Sequence, residues 1–305
     1  MTAMPAKNVA QSVRQRLLNE AKRVGRLYNE IEQYYAMERF LYRLSRSKHG
    51  GKFILKGALL LAAWRGSRYR PTRDIDLLGR LGNSEENIAA VFRDVCRQQV
   101  PEDGLSFDPF SVATARIAED AEYEGVRVIV NGRLGTSRLR IQVDIGFSDV
   151  IVPPPADMDY PVILDFPSPR LKAYSRESAV AEKLEAMVSL GEGNSRMKDF
   201  ADVWFLSRHF EFEGSALALA VASTFQRRQM PLQAEPIALT PAFAQIETKQ
   251  LQWQAFLRRN SPEGVPADLA EVIDAIASFL LPILAHLAAG EPLPRTWPPP
   301  GPWQV

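Results

Sequence analysis

A chain of 305 residues with 46% hydrophobic content has ample material for one large packed unit or two modest ones. Its formal charge of +1 excludes a global basic field, so any grip on nucleic acid must come from local patches, which the sequence offers at 65–80 and 127–140. One cysteine, Cys96, excludes an internal disulfide, and with only three histidines it leaves little from which to build a zinc site.

The opening stretch, MTAMPAKNVAQSVRQRLL, lacks the apolar core of a signal peptide, and no segment reaches the ~20 uninterrupted apolar residues of a membrane span. The expectation is a cytoplasmic protein without membrane contact. Between 8 and 46, Val13, Leu17, Val24, Leu27, Tyr28, Ile31, Tyr34, Tyr35, Phe40, Leu41 and Leu44 recur mostly three or four apart. This predicts an amphipathic helical arm over 1–50, broken near Gly25. Its tyrosines read as part of the apolar stripe, with base stacking as the alternative.

Phe53-Ile54-Leu55 then predicts a short strand, Lys56-Gly57 a break, and Ala58 to Trp64 a helix. A glycine there lets the first N–H groups of the helix approach a phosphate, and the helix dipole favours the anion. Arg65, Arg68, Arg70 and Arg73 crowd the following loop, where they can serve phosphates or simply solvate it. The loop ends in Asp74-Ile75-Asp76. On a strand the two carboxylates face one way, about 7 Å apart, while Ile75 and Leu77 face the core. Such a pair can share divalent cations, and Mg²⁺ favours a few carboxylates plus phosphate oxygens and water. The chemistry suggested is phosphoryl or nucleotidyl transfer; the bland alternative is a solvated strand end whose charges satisfy one another.

A helix around Glu85–Gln98 and short apolar runs over 51–165 indicate an α/β or α+β unit. Arg138 to Ile145 alternates, with Leu139, Ile141, Val143 and Ile145 on one face and Arg138, Arg140, Gln142 and Asp144 on the other. Asp144 supplies a third carboxylate if this strand lies beside Asp74 and Asp76. Arg127, on the strand before, and Arg133, in an expected Asn131-Gly132 turn, extend the basic surface. Beyond the prolines at 153–155 and 161–169 the pattern is helical, and the expected boundary is near 168. Ser178 to Leu190 carries the stripe Val180, Leu184, Met187 and Val188, with Lys183 at its margin. Gly191 and Gly193 end that helix and Ser195 is expected to cap the next, which places Asp199 and Asp202 on one face. Further helices are expected at 213–225, 240–258 and 265–288, and a proline-rich tail over 290–305 that is a strap or a disordered end.

In order, Lys56-Gly57, Thr72-Arg73-Asp74-Ile75-Asp76-Leu77, the Asp144 strand, Glu182-Lys183-Leu184-Glu185-Ala186 and Arg196-Met197-Lys198-Asp199-Phe200-Ala201-Asp202 resemble the AbiEii/AbiGii group of nucleotidyltransferase toxins. The resemblance covers about 50–206, and T-R-D-I-D-L followed by E-K-L-E-A and R-M-K-D-x-x-D is its most specific part. It implies an α+β fold: a mixed-sheet nucleotidyltransferase core over 51–168, flanked by the helical arm and by a helical domain over 169–289. It implies Mg²⁺ or Mn²⁺ at Asp74, Asp76 and Asp144, and an NTP held by Lys56, Gly57, Arg73, Lys183 and Lys198. Asp199 or Asp202 would stand near the metals or base. Alanine at 58 departs from the small hydroxyl usual after the glycine. The implied reaction is in-line attack of an RNA 3′-hydroxyl on the NTP α-phosphate, at the tRNA acceptor end. Arg65, Arg68, Arg70, Arg138 and Arg140 would steer the RNA, and a neighbouring gene would encode an antitoxin.

Competing readings keep the fold with a small-molecule hydroxyl as acceptor, or make the chain a non-catalytic binder of RNA or antitoxin. A metal nuclease using Asp74, Asp144 and Lys183 fits poorly, because Glu182 and Lys183 are adjacent.

Overall fold

Gly25, at φ +66°, ends helix α1 (Val9–Val24), and the chain restarts as α2 (Tyr28–Arg46). This computed structural model describes residues 9–65, 72–120, 123–260, 262 and 264–304. The chain divides into two compact units, the first comprising the residues up to 148 together with 156–173 and the second 149–155 and 174 onward.

In the first unit, Tyr34, Tyr35 and Tyr42 of α2 are core groups, whereas Tyr28 is only half-buried and Leu27, expected in the apolar stripe, is exposed; the Tyr35 hydroxyl donates to the Asp103 carbonyl at 2.8 Å. Even charged residues of this helix are inside. Arg43 donates to both oxygens of Asp103 at 2.7 and 2.9 Å, and Arg39 donates to the Pro167 carbonyl at 2.8 Å. Pairing and hydrogen bonding make such burial tolerable.

The chain continues through β1 (Phe53–Lys56), α3 (Gly57–Arg65), β2 (Asp74–Gly79), α4 (Glu85–Arg97), β3 (Leu105–Phe107), β4 (Ala113–Asp120), β5 (Tyr123–Leu134), β6 (Ser137–Gly146), β7 (Ala156–Asp159) and β8 (Arg170–Ala173). Ser84 caps α4 by accepting from the Asn87 N–H. The strands form one mixed sheet in the order β3-β5-β6-β2-β1-β8-β7, with β4 also paired to β5. The β2–β6 and β1–β8 pairs are parallel and the rest antiparallel. Helices α2 and α4 pack on the sheet. The core packs Phe92 against Phe40 and Phe53, with Ile75, Leu77, Val128, Ile141, Val143 and Ile145 fully buried.

The β5–β6 hairpin corrects one expectation. Its turn is Gly135-Thr136, between the paired residues Leu134 and Ser137, and Gly135 adopts φ +59°. Asn131 and Gly132 lie within β5, opposite Arg140 and Leu139, and Arg133 faces Arg138. The Asn-Gly signal is local, whereas matching Val126, Val128 and Val130 with Ile145, Val143 and Ile141 fixes the register; a one-residue slip would turn that set away from the core.

The second unit contains α5 (Arg176–Leu190), α6 (Met197–His209), β9 (Phe212–Glu213), α7 (Gly214–Arg227), α8 (Pro241–Gln245), α9 (Glu247–Asn260), α10 (Leu269–Ala289) and β10 (Thr296–Trp297). Val180, Leu184, Met187 and Val188 form the expected buried stripe of α5, and Gly191 at φ +48° closes it. Arg196, not Ser195, is the N-cap of α6. The buried Asn194 takes over, its side-chain oxygen accepting the Arg196 N–H at 2.7 Å, so Ser195 has no capping role. The single helix expected at 240–258 is two, because Ile246 is extended between α8 and α9. Helix α10 is long and apolar enough to cross a membrane by length and composition; here Val272, Ile276, Phe279, Leu280 and Ile283 are fully buried. The tail is a strap. β10 pairs with β9, Trp297 donates to the Ser207 carbonyl at 2.6 Å, and Trp303 stacks on Phe279.

Candidate active site

Alternation along β2 buries Ile75 and Leu77 and turns Asp74 and Asp76, both half-buried, to the other face. The parallel register of β6 sets Asp144 directly opposite Asp76, and Gln142 opposite Asp74. Oxygens of Asp74, Asp76 and Asp144 lie within 4.8 Å of one another. Three carboxylates presenting hard oxygen donors at that separation fit a small divalent cation.

Gly57 stands against this cluster. It adopts φ +73°, and a Cβ built on it would lie 1.9 Å from Asp76 Oδ2. The glycine therefore meets two demands, a left-handed turn from β1 into α3 and contact of main chain with a carboxylate. Lys56, also buried, pairs across the strands with Asp76. Ala58 is buried at the start of α3.

Further residues orient the carboxylates. The Arg127 guanidinium donates from Nε to Asp144 Oδ1 and from Nη2 to Oδ2, both at 2.8 Å, and Gln142 Nε2 donates to Oδ2 at 3.2 Å. The hydrogen bond to Asp144 raises the Arg127 pKa, and the fields of Asp74 and Asp76 add to it. The Thr72 hydroxyl donates to Asp74 Oδ1, and the Thr72 N–H donates to the Tyr34 hydroxyl at 3.1 Å.

The second unit holds its own charged group. Lys183 Nζ on α5 donates to Asp199 Oδ1 at 2.9 Å and Asp202 Oδ2 at 2.8 Å, and Arg196 Nε donates to Asp199 Oδ2 at 2.6 Å. Both aspartates are fully buried. Burial opposes ionisation of Asp199, but Lys183 and Arg196 outweigh it and hold the carboxyl below the usual carboxylate range.

A family model described as the nucleotidyl transferase AbiEii toxin of a type IV toxin–antitoxin system matches residues 39–275. The chain belongs to the AbiEii family. It is accordingly a nucleotidyltransferase, of a family whose toxins have antitoxin partners and nucleotide substrates. A crystal structure of a Helicobacter pylori protein described as a nucleotidyltransferase is similar, with 13% identity, a TM-score of 0.51, and coverage of 85% of this chain and 97% of that one. That likeness speaks for the fold alone. The Helicobacter pylori protein JHP933 matches at 12% identity and a TM-score of 0.48, over 86% of this chain and 94% of its own. No curated protein matches the chain.

The sequence reading of this AbiEii chain placed Lys56, Gly57, Asp74, Asp76, Asp144, Lys183, Asp199 and Asp202 in a single site; within the first unit Asp74, Asp76 and Asp144 converge beside Gly57, and within the second Lys183 bridges Asp199 and Asp202. Arg73 and Lys198 are exposed, as are Arg138 and Arg140 on the same face of β6 as Asp144. Arg68 and Arg70, with the side chain of Arg65, lie outside the described residues. Sequence reasoning counted Arg127 only as basic surface and gave Thr72 and Gln142 no task. The signal was present in the alternation, since Arg127 and Asp144 are polar residues on adjacent strands of one hairpin, but the pairing needed its register.

Proposed function

We propose that this AbiEii chain transfers a nucleotide from an NTP to an RNA 3′-hydroxyl, at the acceptor end of tRNA, with Mg²⁺ or Mn²⁺ held by Asp74, Asp76 and Asp144. The convergence of these carboxylates within 4.8 Å, beside a glycine that no other residue could replace without a clash, carries the reading. A divalent cation bound there would supply Lewis acidity toward the hydroxyl and the triphosphate. In the step itself, the 3′-oxygen forms a bond to the α-phosphorus, the bond from that phosphorus to the bridging oxygen breaks, pyrophosphate leaves, and the hydroxyl proton passes to water. Main-chain N–H groups at the start of α3 serve the phosphates in place of the missing hydroxyl at Ala58. Lys56 and Arg73 supply positive charge to the triphosphate, and Lys183, Lys198, Asp199 and Asp202 keep the nucleotide-site roles that the family motif assigns them.

The polar face of the β5–β6 hairpin supports RNA as the acceptor. Arg133 and Arg138 are directly opposite each other and Arg140 is the next same-face residue toward Asp144; among the described residues none has a carboxylate partner. Like charges opposed across strands are unfavourable by themselves, so a ligand with phosphates would relieve them.

The test is incubation with each α-³²P-labelled NTP, Mg²⁺ and total tRNA, beside Asp76→Asn. Label in tRNA that requires Asp76 is the expected result. Label reaching a small-molecule hydroxyl but never RNA would replace the acceptor, and no transfer to either would overturn the reading.

A further inference from the structure

Three carboxylates within 4.8 Å repel one another, and in unit 1 Arg127 answers this repulsion at Asp144. Its guanidinium engages both oxygens of the third carboxylate, on a strand adjacent to β6 and in register with it. The Asp144 side chain is only 11% exposed and that of Arg127 41%, so the carboxylate end of the pair is sheltered while the guanidinium reaches solvent. Arg133, Arg138 and Arg140 on the same hairpin have no such partner among the described residues, so position rather than residue type sets Arg127 apart.

We propose that Arg127 is a positioning residue that acts through Asp144: it supplies counter-charge to the carboxylate cluster and competes with a divalent cation for it. This rests on the metal-site reading above. With the guanidinium in place, part of the carboxylates' negative charge is already offset, and Asp144 is engaged at both oxygens. A cation arriving alone meets a partly neutralised site. Negatively charged phosphates can compete for the same guanidinium, so nucleotide would release Asp144 and favour cation binding. Loading of metal and nucleotide would thereby be coupled through one side chain. Gln142 matters here because its amide still donates to Asp144 Oδ2 when Arg127 is gone, leaving the carboxylate partly oriented.

The alternative, Arg127 as scaffold only, gives the opposite sign in one measurement. If Arg127 merely holds Asp144 in place, removing it weakens cation binding; if it competes, removing it tightens binding. Mn²⁺ titration followed by electron paramagnetic resonance, without nucleotide, on the full chain and on Arg127→Met and Arg127→Lys separates the two. Removing a positive charge a few ångströms from the cation should tighten Mn²⁺ binding by roughly tenfold in Arg127→Met. Arg127→Lys, which keeps the charge, should stay near the wild-type value. In thermal melting, Arg127→Met without metal should melt lower than wild type and gain more from Mn²⁺. Mn²⁺ binding in the wild type with equal or weaker binding in Arg127→Met overturns the inference and leaves the metal site standing. No Mn²⁺ binding in wild type overturns both. Should Arg127→Met fail to fold, Arg127→Gln carries the same comparison.

Discussion

Replacing Gly57 by alanine isolates the contact on which the carboxylate cluster depends. Two costs separate cleanly. The backbone cost is that of a non-glycine residue at φ +73°, roughly 1–2 kcal/mol. The steric cost is specific: the new Cβ would lie 1.9 Å from Asp76 Oδ2, 2.6 Å from its Cγ and 2.7 Å from its Cβ, where real contacts do not fall below 3.0 Å. The carboxylate must therefore shift by at least about 1.1 Å, or β1 and β2 must part. A misplacement of about 1 Å at a reacting centre costs on the order of 10²-fold in rate. Gly25→Ala is the control, because Gly25 has φ +66° and nothing within 4 Å of its virtual Cβ. The expected outcome is that Gly57→Ala loses more stability by thermal melting than Gly25→Ala, which bears the backbone cost alone, and that nucleotide transfer falls about 100-fold only in Gly57→Ala. If Gly57→Ala transfers nucleotide as Gly25→Ala does, the role assigned to the Gly57–Asp76 contact is wrong.

Lys183→Met leaves the buried carboxylates of Asp199 and Asp202 without their shared ammonium, and should destabilise the second unit by roughly 3–5 kcal/mol in denaturant unfolding. Because the folded pKa of Asp199 is lowered, its contribution to stability is complete above the ordinary carboxylate range and is lost as pH falls through the lowered folded value. Acid unfolding monitored by circular dichroism should show that loss in wild type and lack it in Asp199→Asn. Trp297→Ala removes a buried side chain and its hydrogen bond to the Ser207 carbonyl, and should cost roughly 3–5 kcal/mol, read by chemical denaturation; a change under 1 kcal/mol would mean that the strap contributes little. Burial pushes the Cys96 thiol up to about 12, so Ellman's reagent at neutral pH should label the native protein far more slowly than the unfolded chain.

Much of the fold is local information. The period of the apolar positions marked α2 and α5, Gly25 and Gly191 marked the helix ends at positive φ, and strict alternation through 138–145 assigned Asp144 to the polar face before any strand partner was known. Side-chain period alone put Asp74 with Asp76, and Asp199 with Asp202, because strand and helix geometry is the same wherever the element sits.

Whatever depended on partners was decided by tertiary packing. The Asn131-Gly132 pair carries a turn preference worth little against a row of valines and isoleucines that must face one core, so the hairpin turned at Gly135 instead. Ser195 has a capping side chain, but the buried Asn194 reached the available N–H. The proline-rich tail has no pattern of its own and becomes ordered where Trp297 and Trp303 meet Phe279. Most of the candidate site follows the same division. Its acidic side chains were legible one strand at a time, whereas the approach of Gly57 to Asp76 and the grip of Arg127 on Asp144 exist only once the sheet sets those strands in register. A sequence states the face to which a side chain belongs; only the pairing of strands states what lies across from it.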